Sequence, residues 1–426
     1  MFLNVDAGEL EGEPEELYAL AHVVNIACGG HAGDEASMGV ALERCARLGA
    51  APGAHPSFED REHFGRRRLE VAPEALRAQV AGQCAALAAA ARAGRASPRR
   101  VAHVKPHGAL YHAANEAREL AEAVVAGAVE GLGREVTVIG PPRGELREAA
   151  LRAGLRFARE GFADRGMRPD GSLVPRGEPG ALVEGPARAR AQATRLVLEG
   201  GVDTLCVHGD TSGAVEIAEQ VRRAIDAGLA PLGDGAIRLG LPEGWRPREV
   251  LEALRRWPGV SDAVVTEHHA ALYFDPRRPP EDPLAALDRA SEVPLPSPAA
   301  TLHRIRVRYD GPDLEEVARR AGRSRAEVIE LHAGVEYRVE VIGFLPGFAY
   351  LGDLPEVLRQ PRRSSPRPKV PRGSVAIAGR HTAVYPLESP GGWNLIGSAV
   401  DFAPFHPDRG AVWALEDRVR FAPEDP

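Results

Sequence analysis

The sequence predicts a parallel (β/α) barrel followed by a small α+β module and a closed β-barrel, and three observations carry that reading. Short, continuous apolar runs alternate with helical segments through the first half, as strands buried on both faces by crossover helices do. Seven of these runs end in polar or turn residues, most of them ionisable. After Gly228 the character changes to short, often alternating segments broken by Gly and Pro, the mark of a closed β-barrel.

The elements follow in order. Residues 2–5 lead into Asp6 and Glu9, and residues 23–28 into His31 and Asp34. Residues 50–54 lead into His55, and 101–104 into Lys105 and His107. Residues 136–139 run into a Gly140-Pro141-Pro142 turn, 155–158 into Glu160, Asp164 and Arg165, and 202–207 into His208 and Asp210. Between them, residues 34–48 place Met38, Val40, Ala41, Leu42, Cys45 and Leu48 at helical spacing. Pro73 opens a helix over 74–93 at a first-turn position, where its missing donor costs nothing. Further helices are read over 115–129, 144–153, 187–198 and 213–227. Strand–helix–strand at this cadence means right-handed crossovers. Seven repeats by about residue 228 imply a (β/α) barrel, with seven strands rather than eight as one form and a doubly wound open sheet as the alternative.

Residues 236–241 and 263–274 read as strands, with a short helix over 247–256 between them. Residues 291–298, SEVPLPSP, form a proline-rich linker, extended and semi-rigid. Residues 303–309 alternate apolar and polar, helices follow at 313–321 and 324–333, and strands are read at 337–344, 374–377, 382–386, 393–396 and 412–415.

With 426 residues, two to three domains are expected. The chain is 44% hydrophobic and 27% charged, ordinary for a globular protein with a sizeable core. A net charge of −7 lends no support to nucleic-acid or anionic-membrane binding and fits a protein acting on small molecules. The four cysteines, Cys28, Cys45, Cys84 and Cys206, form no C-x-x-C pair, which removes zinc-ribbon and thioredoxin readings and fits a reducing compartment. The first residues show no signal-peptide pattern, and the alanine-rich run over 80–93 is too short to span a bilayer, so the cytoplasm is the expected location.

Parallel α/β folds form their sites at the C-terminal strand ends. The candidate catalytic set there is Asp6, His31, Asp34, His55, Lys105, His107, His208 and Asp210, with Asn25, Glu160 and Arg165 as candidate substrate-binding residues. Histidine titrates near neutral pH and serves as base and then acid. A carboxylate orients it or activates water, and lysine or arginine holds an anion. Asp34 also stands where a helix N-cap belongs. No H-E-x-x-H motif is present, so no metal ligand is assigned. There is no P-loop either. The basic run Arg362, Arg363, Arg367, Lys369 and Arg372 is either a solvated loop or a phosphate-facing one.

The segments VDAGE, NIACGGHAGD, GAHPSF, FGRR, HVKPHGALY, EGFADRGMRPDGSLVPR and DTLCVHGDTSGAV resemble the LamB/YcsF family, that of the A-type subunit of the bacterial ATP-dependent 5-oxoprolinase. The likeness spans roughly residues 1–228. GFLPGFAYLGDL, PRPKVPRGSVAIAG and YPLESPGGWNLIG resemble the B-type subunit of the same enzyme, the KipI or allophanate-hydrolase-subunit-1 family. The resemblance implies a seven-stranded TIM-like barrel over 1–228, a small α+β module over 232–290 and a cyclophilin-like β-barrel over 301–426, joined as a natural A–B fusion. It departs from the family at Gly30, usually an aromatic, and at Ala7, usually a leucine.

The activity so implied is conversion of 5-oxoproline to glutamate with ATP, accompanied by Mg²⁺, as co-substrate and no other cofactor. The implied partner is a C-type subunit of 5-oxoprolinase, with no nucleic acid or membrane partner. Family roles fall on Asp6, His31, Asp34, His55, Lys105, His107, His208 and Asp210, with Lys105 and Arg165 holding anionic groups. Two rivals stand beside it: a metal-dependent amide or acetyl hydrolase on the same barrel, and, implied by the resemblance of the second half, a KipI-like kinase-binding regulator.

Overall fold

A computed structural model describes residues 1–93, 100–168, 172–175, 177–241, 244–266, 268–292 and 299–424. The chain divides into two compact units, Met1–Pro231 and Leu232–Pro426.

The first unit is built on seven parallel strands: β1 (Phe2–Ala7), β2 (Val23–Ala27), β3 (Ala51–His55), β4 (His103–Val104), β5 (Thr137–Gly140), β6 (Arg156–Phe162) and β7 (Thr204–His208). They pair in sequence order, and β1 pairs with β7 as well as β2, so the sheet closes and the open-sheet alternative falls. Among the described residues eight helices surround it: α1 (Glu15–Leu20), α2 (Glu35–Leu48), α3 (Pro73–Ala93), α4 (Gly108–Glu116), α5 (Arg118–Leu132), α6 (Glu145–Arg152), α7 (Pro186–Glu199) and α8 (Ala214–Asp226). The sequence assigns no element over α1 and a helix over only the last two residues of α4.

Period-two alternation sorts each strand. On β1, Leu3, Val5 and Ala7 are buried on one face and Asn4 and Asp6 on the other. Phe2, Val23, Ala51, Ile139 and Ala158 pack together as an apolar cluster near the strand starts. The next interior positions are polar: Asn25 Nδ2 donates to Asn4 Oδ1 at 2.8 Å, and Asn4 Nδ2 to Thr204 Oγ1 at 2.9 Å. Register sets Asp6 beside Asn25 on one side and His208 on the other. An interior that turns from apolar to polar along its axis commits the C-terminal end to chemistry.

The second unit begins with an antiparallel sheet in which His269–Phe274 lies between Ala236–Gly240 and Val260–Val265, beside helices Pro247–Arg255 and Pro283–Glu292. The run read as one strand over 263–274 is thus a hairpin, whose turn carries no Gly or Pro to announce it. The supposed linker starts late: Ser291 and Glu292 end a helix, and residues 293–298 lie outside the described residues.

Seven strands then close a second barrel in the order Leu302–Arg308, Asn394–Val400, Ser374–Ala378, His381–Val384, Ala349–Gly352, Glu336–Ile342, Arg418–Pro423. Its core includes Tyr337, Val375, Ile377, Trp413 and Phe421. Residues 412–415 are not a strand. Trp413 is buried there by packing, and its Nε1 donates to the Gly347 carbonyl at 2.8 Å. Arg418–Pro423 supplies the closing strand instead. Among the described residues no helix is long and apolar enough to cross a membrane.

Candidate active site

The C-terminal end of the first barrel gathers a buried polar cluster. Its centre is an ion-pair lattice around Lys105, which follows β4. The Nζ of Lys105 lies 2.9 and 3.0 Å from the two oxygens of Asp6, 2.9 Å from Glu160 Oε1 and 3.0 Å from Cys206 Sγ. Asn4 Oδ1 adds a longer contact at 3.4 Å, so the three donors of the ammonium are fully surrounded by acceptors and anions. Burial alone would strip the lysine of its proton, but Asp6, Cys206 and Glu160 hold its pKa well above the ordinary value. Burial likewise opposes the charge on Asp6, yet His55, Lys105 and His208 hold its carboxyl well below the usual range. Asn25 Nδ2 donates to Asp6 Oδ1 at 2.9 Å, so Asn25 positions Asp6 from the adjacent strand.

On one side of Asp6 stands a histidine–aspartate pair. His208, the last residue of β7, sets Nδ1 3.1 and 3.0 Å from the oxygens of Asp164. Asp164 also accepts from the His208 backbone amide at 2.9 Å and from Thr211 Oγ1 at 3.0 Å. That leaves His208 Nε2 facing the mouth, 3.9 Å from Asp6 Oδ2. Burial would lower the pKa of His208, but Asp164 outweighs it and raises it above the ordinary value.

On the other side, three histidines converge on Glu9. His31 Nε2, His107 Nδ1 and His55 Nε2 lie 2.9, 3.2 and 3.7 Å from Glu9 Oε1. The rings of His31 and His107 stack with centroids 3.7 Å apart. Burial lowers the pKa of His31 and pushes that of His55 down to about 3, against the pull of Glu9 and Asp6 respectively. For Glu9, burial is outweighed by the imidazoles of His107 and His31, which hold its carboxyl well below the usual range.

The loops are fixed by their own devices. Glu13 accepts from the backbone amides of Gly8, Glu9 and Leu10 at 2.7, 2.8 and 3.0 Å, pinning the turn that carries Glu9. Gly65 takes φ +65°, and a Cβ there would stand 2.8 Å from His31 Cβ and 3.0 Å from His107 Cδ2, so only glycine lets this loop lie against both rings. At Gly30, Ser57 Oγ and Gln83 Oε1 occupy the space a Cβ would need, at 2.4 and 2.6 Å.

Of the residues singled out in the sequence, Asp6, Asn25, His31, His55, Lys105, His107, Glu160 and His208 come together here. Three do not. Asp34 is exposed and caps α2, accepting from the Ser37 amide at 2.8 Å in a reciprocal capping box. Asp210 pairs with Arg66 at 2.7 Å. Arg165 donates to the carbonyls of Ala181 and Val174 at 3.0 and 2.8 Å, tying down its own loop.

Glu9 and Asp164 enter the cluster although neither was among the candidate catalytic or binding residues, and both stand in loops already marked by ionisable neighbours. The absence of assigned metal ligands also changes on folding: Glu9, His31, His55 and His107 bring four donor atoms within 4.8 Å of one another. In the second unit, the basic run is largely paired. Arg363 and Arg367 reach Asp313 at 3.0 and 2.7 Å, and Lys369 reaches Glu388 at 2.9 Å.

Fold and site together define a seven-stranded (β/α)-barrel protein with a buried acid–base cluster at the strand C-termini. Residues 1–232 match the model of the LamB/YcsF family, and the chain belongs to that family. Residues 231–413 match the carboxyltransferase domain, subdomains C and D. The first half is 43% identical over 247 residues to a protein of Methylococcus capsulatus named as the A subunit of 5-oxoprolinase, a match covering 54% of this chain and 94% of that one. A protein of Nocardia farcinica with the same name is 43% identical over 242 residues, covering 53% and 95%. Among solved structures, a lactam utilization protein from Thermus thermophilus is 37% identical, covering 53% of this chain and 96% of that one, with a TM-score of 0.49.

Proposed function

We propose that this chain is a component of an ATP-dependent 5-oxoprolinase, opening the lactam of 5-oxo-L-proline to L-glutamate as ATP becomes ADP and phosphate. The observation that carries the reading is the Asp164–His208 pair set against Asp6 at the barrel mouth, in a first half 43% identical to proteins named as the A subunit of 5-oxoprolinase.

A lactam is a resonance-stabilised amide and needs activation. Its oxygen takes the γ-phosphoryl group of ATP, delivered with Mg²⁺, and ADP leaves. Water then adds to the activated ring carbon, positioned by Asp6 and giving up a proton to the cluster. The ring C–N bond breaks as His208 returns a proton to nitrogen, leaving an acyl phosphate. A second water releases phosphate and glutamate. One ATP and two waters enter; glutamate, ADP and phosphate leave. A histidine whose pKa is raised by its aspartate holds its proton to higher pH than a free imidazole does, which suits it to protonate the leaving nitrogen.

The chain carries both A-type and B-type parts, so a C-type subunit is the partner this reading requires, and the cytoplasm its proposed location. The test is glutamate release from 5-oxoproline, with and without ATP, by the chain alone and with a C-type protein. ATP-dependent glutamate only with the partner supports the whole reading. Efficient turnover by the single chain removes the partner, and no glutamate from a verified complex removes the activity. A second reading, ATP-independent amide hydrolysis, is favoured by the Glu9–histidine donor set alone. Amide hydrolysis without ATP would establish it.

A further inference from the structure

Two of the three histidines around Glu9 have their protons committed away from its centre. His55 Nδ1 lies 2.7 Å from the Lys105 carbonyl oxygen, and His107 Nε2 3.0 Å from that of Phe64. A carbonyl oxygen only accepts, so each outer nitrogen carries the hydrogen. In the neutral rings the inner nitrogens, His55 Nε2 and His107 Nδ1, are then lone pairs, and they face each other at 2.9 Å. Glu9 Oε1, a third acceptor, stands 3.2 Å from one and 3.7 Å from the other. Three acceptors turned on one another repel unless a cation joins them.

The spacing suits a metal ion. Ligands at about 2.0–2.2 Å around a tetrahedral zinc lie roughly 3.3 Å from one another. The outer N–H bonds to backbone carbonyls are the arrangement that orients metal-bound imidazoles.

We propose that Glu9, His55 and His107, with His31 as fourth donor, bind one divalent transition-metal ion of zinc's class. The ion ties together the loops after β1, β2 and β4 and the end of β3. The neighbouring group of Asp6, Cys206 and His208 is not the site, because the Lys105 ammonium lies 3.0 Å from Cys206 Sγ and repels a dication there. The site stands on its donor set, whatever amide the barrel processes.

The test uses the full chain, purified without a polyhistidine tag, stripped with chelator and titrated with Zn²⁺ at neutral pH. The expected result is one equivalent bound per chain, at least tenfold weaker in Glu9→Gln and in His107→Gln. His269→Gln, at an exposed histidine of the second unit, should bind as the parent does. X-ray absorption of zinc on the unsubstituted chain keeps the test decisive if either variant fails to fold. It should show nitrogen and oxygen ligands with imidazole scattering and no sulfur. No stoichiometric uptake by the folded chain, binding undiminished in both variants, or sulfur in the zinc shell would overturn the proposal, the last by moving the ion to Cys206.

Discussion

His208 and Asp164 meet through three contacts: both carboxylate oxygens lie within 3.1 Å of the ring Nδ1, and one of them also takes the His208 backbone amide. The ring therefore cannot turn without losing its partner, and Nε2 is aimed at Asp6. Asp164→Asn keeps the shape and removes the charge that raises the His208 pKa. On the proposed reading, turnover should drop by about 10²–10⁴-fold. The alkaline limb of kcat/KM against pH should also move to lower pH, because a His208 of lower pKa loses its proton earlier. A limb left in place would take His208 out of the proton-donor role.

His55 makes stability depend on pH. Its folded pKa, about 3, lies below the roughly 6.5 of a free histidine. Between those values the unfolded chain binds more protons than the folded one, so this stability is fully present above about pH 6.5 and drains as pH falls toward 3. Asp6 and Glu9, with depressed values, add a loss in the same direction as pH falls through the carboxylate range. Urea midpoints for the first unit, taken from pH 7 to 5 with chelator present, should fall. The drop should be shallower in His55→Gln by an amount on the order of a few kcal/mol.

Lys105 is buried among Asp6, Glu160 and Cys206. Removing one partner of a buried ion pair leaves the others uncompensated, which costs about 3–5 kcal/mol. Lys105→Met should therefore lower the unfolding free energy of the first unit by about that much in a urea titration at pH 7. Adding Asp6→Asn to it should recover part of the loss, since the second change removes an orphaned charge. A double variant less stable than the single one would mean that Lys105 matters for packing rather than charge.

The barrel was legible because parallel strands buried on both faces leave continuous apolar runs, and their ends mark one mouth. Which loop residues turn inward was not legible. Glu9 meets His31 and His107, 22 and 98 positions away (31 − 9 and 107 − 9), and only the closed sheet brings those loops together. Asp34 and Asp210 sit in the same class of loop, yet one caps a helix and the other pairs with Arg66. Helix α4 was hidden inside a motif read for its lysine and histidine, although Leu110, Tyr111, Ala113 and Ala114 bury one face of it. The hairpin of Val260–Val265 and His269–Phe274 lacked a turn residue to split it.

Asp34 is where the sequence and the folded chain differ most usefully. Read from its loop, it is either a catalytic carboxylate or a helix N-cap; in the structure it is exposed and caps α2, accepting from the Ser37 amide while Ser37 Oγ accepts from the Asp34 amide at 2.8 Å. A cap of this kind is worth about 1 kcal/mol, and asparagine replaces aspartate there at little cost. Asp34→Ala should thus lower the melting temperature of the first unit by about 2–4 °C, while Asp34→Asn leaves it nearly unchanged. Both variants, assayed well below their melting temperatures, should keep the parent's kcat/KM for glutamate release. A hundredfold loss in Asp34→Asn without loss of stability would return Asp34 to the catalytic set and mean that α2's first turn moves when substrate binds.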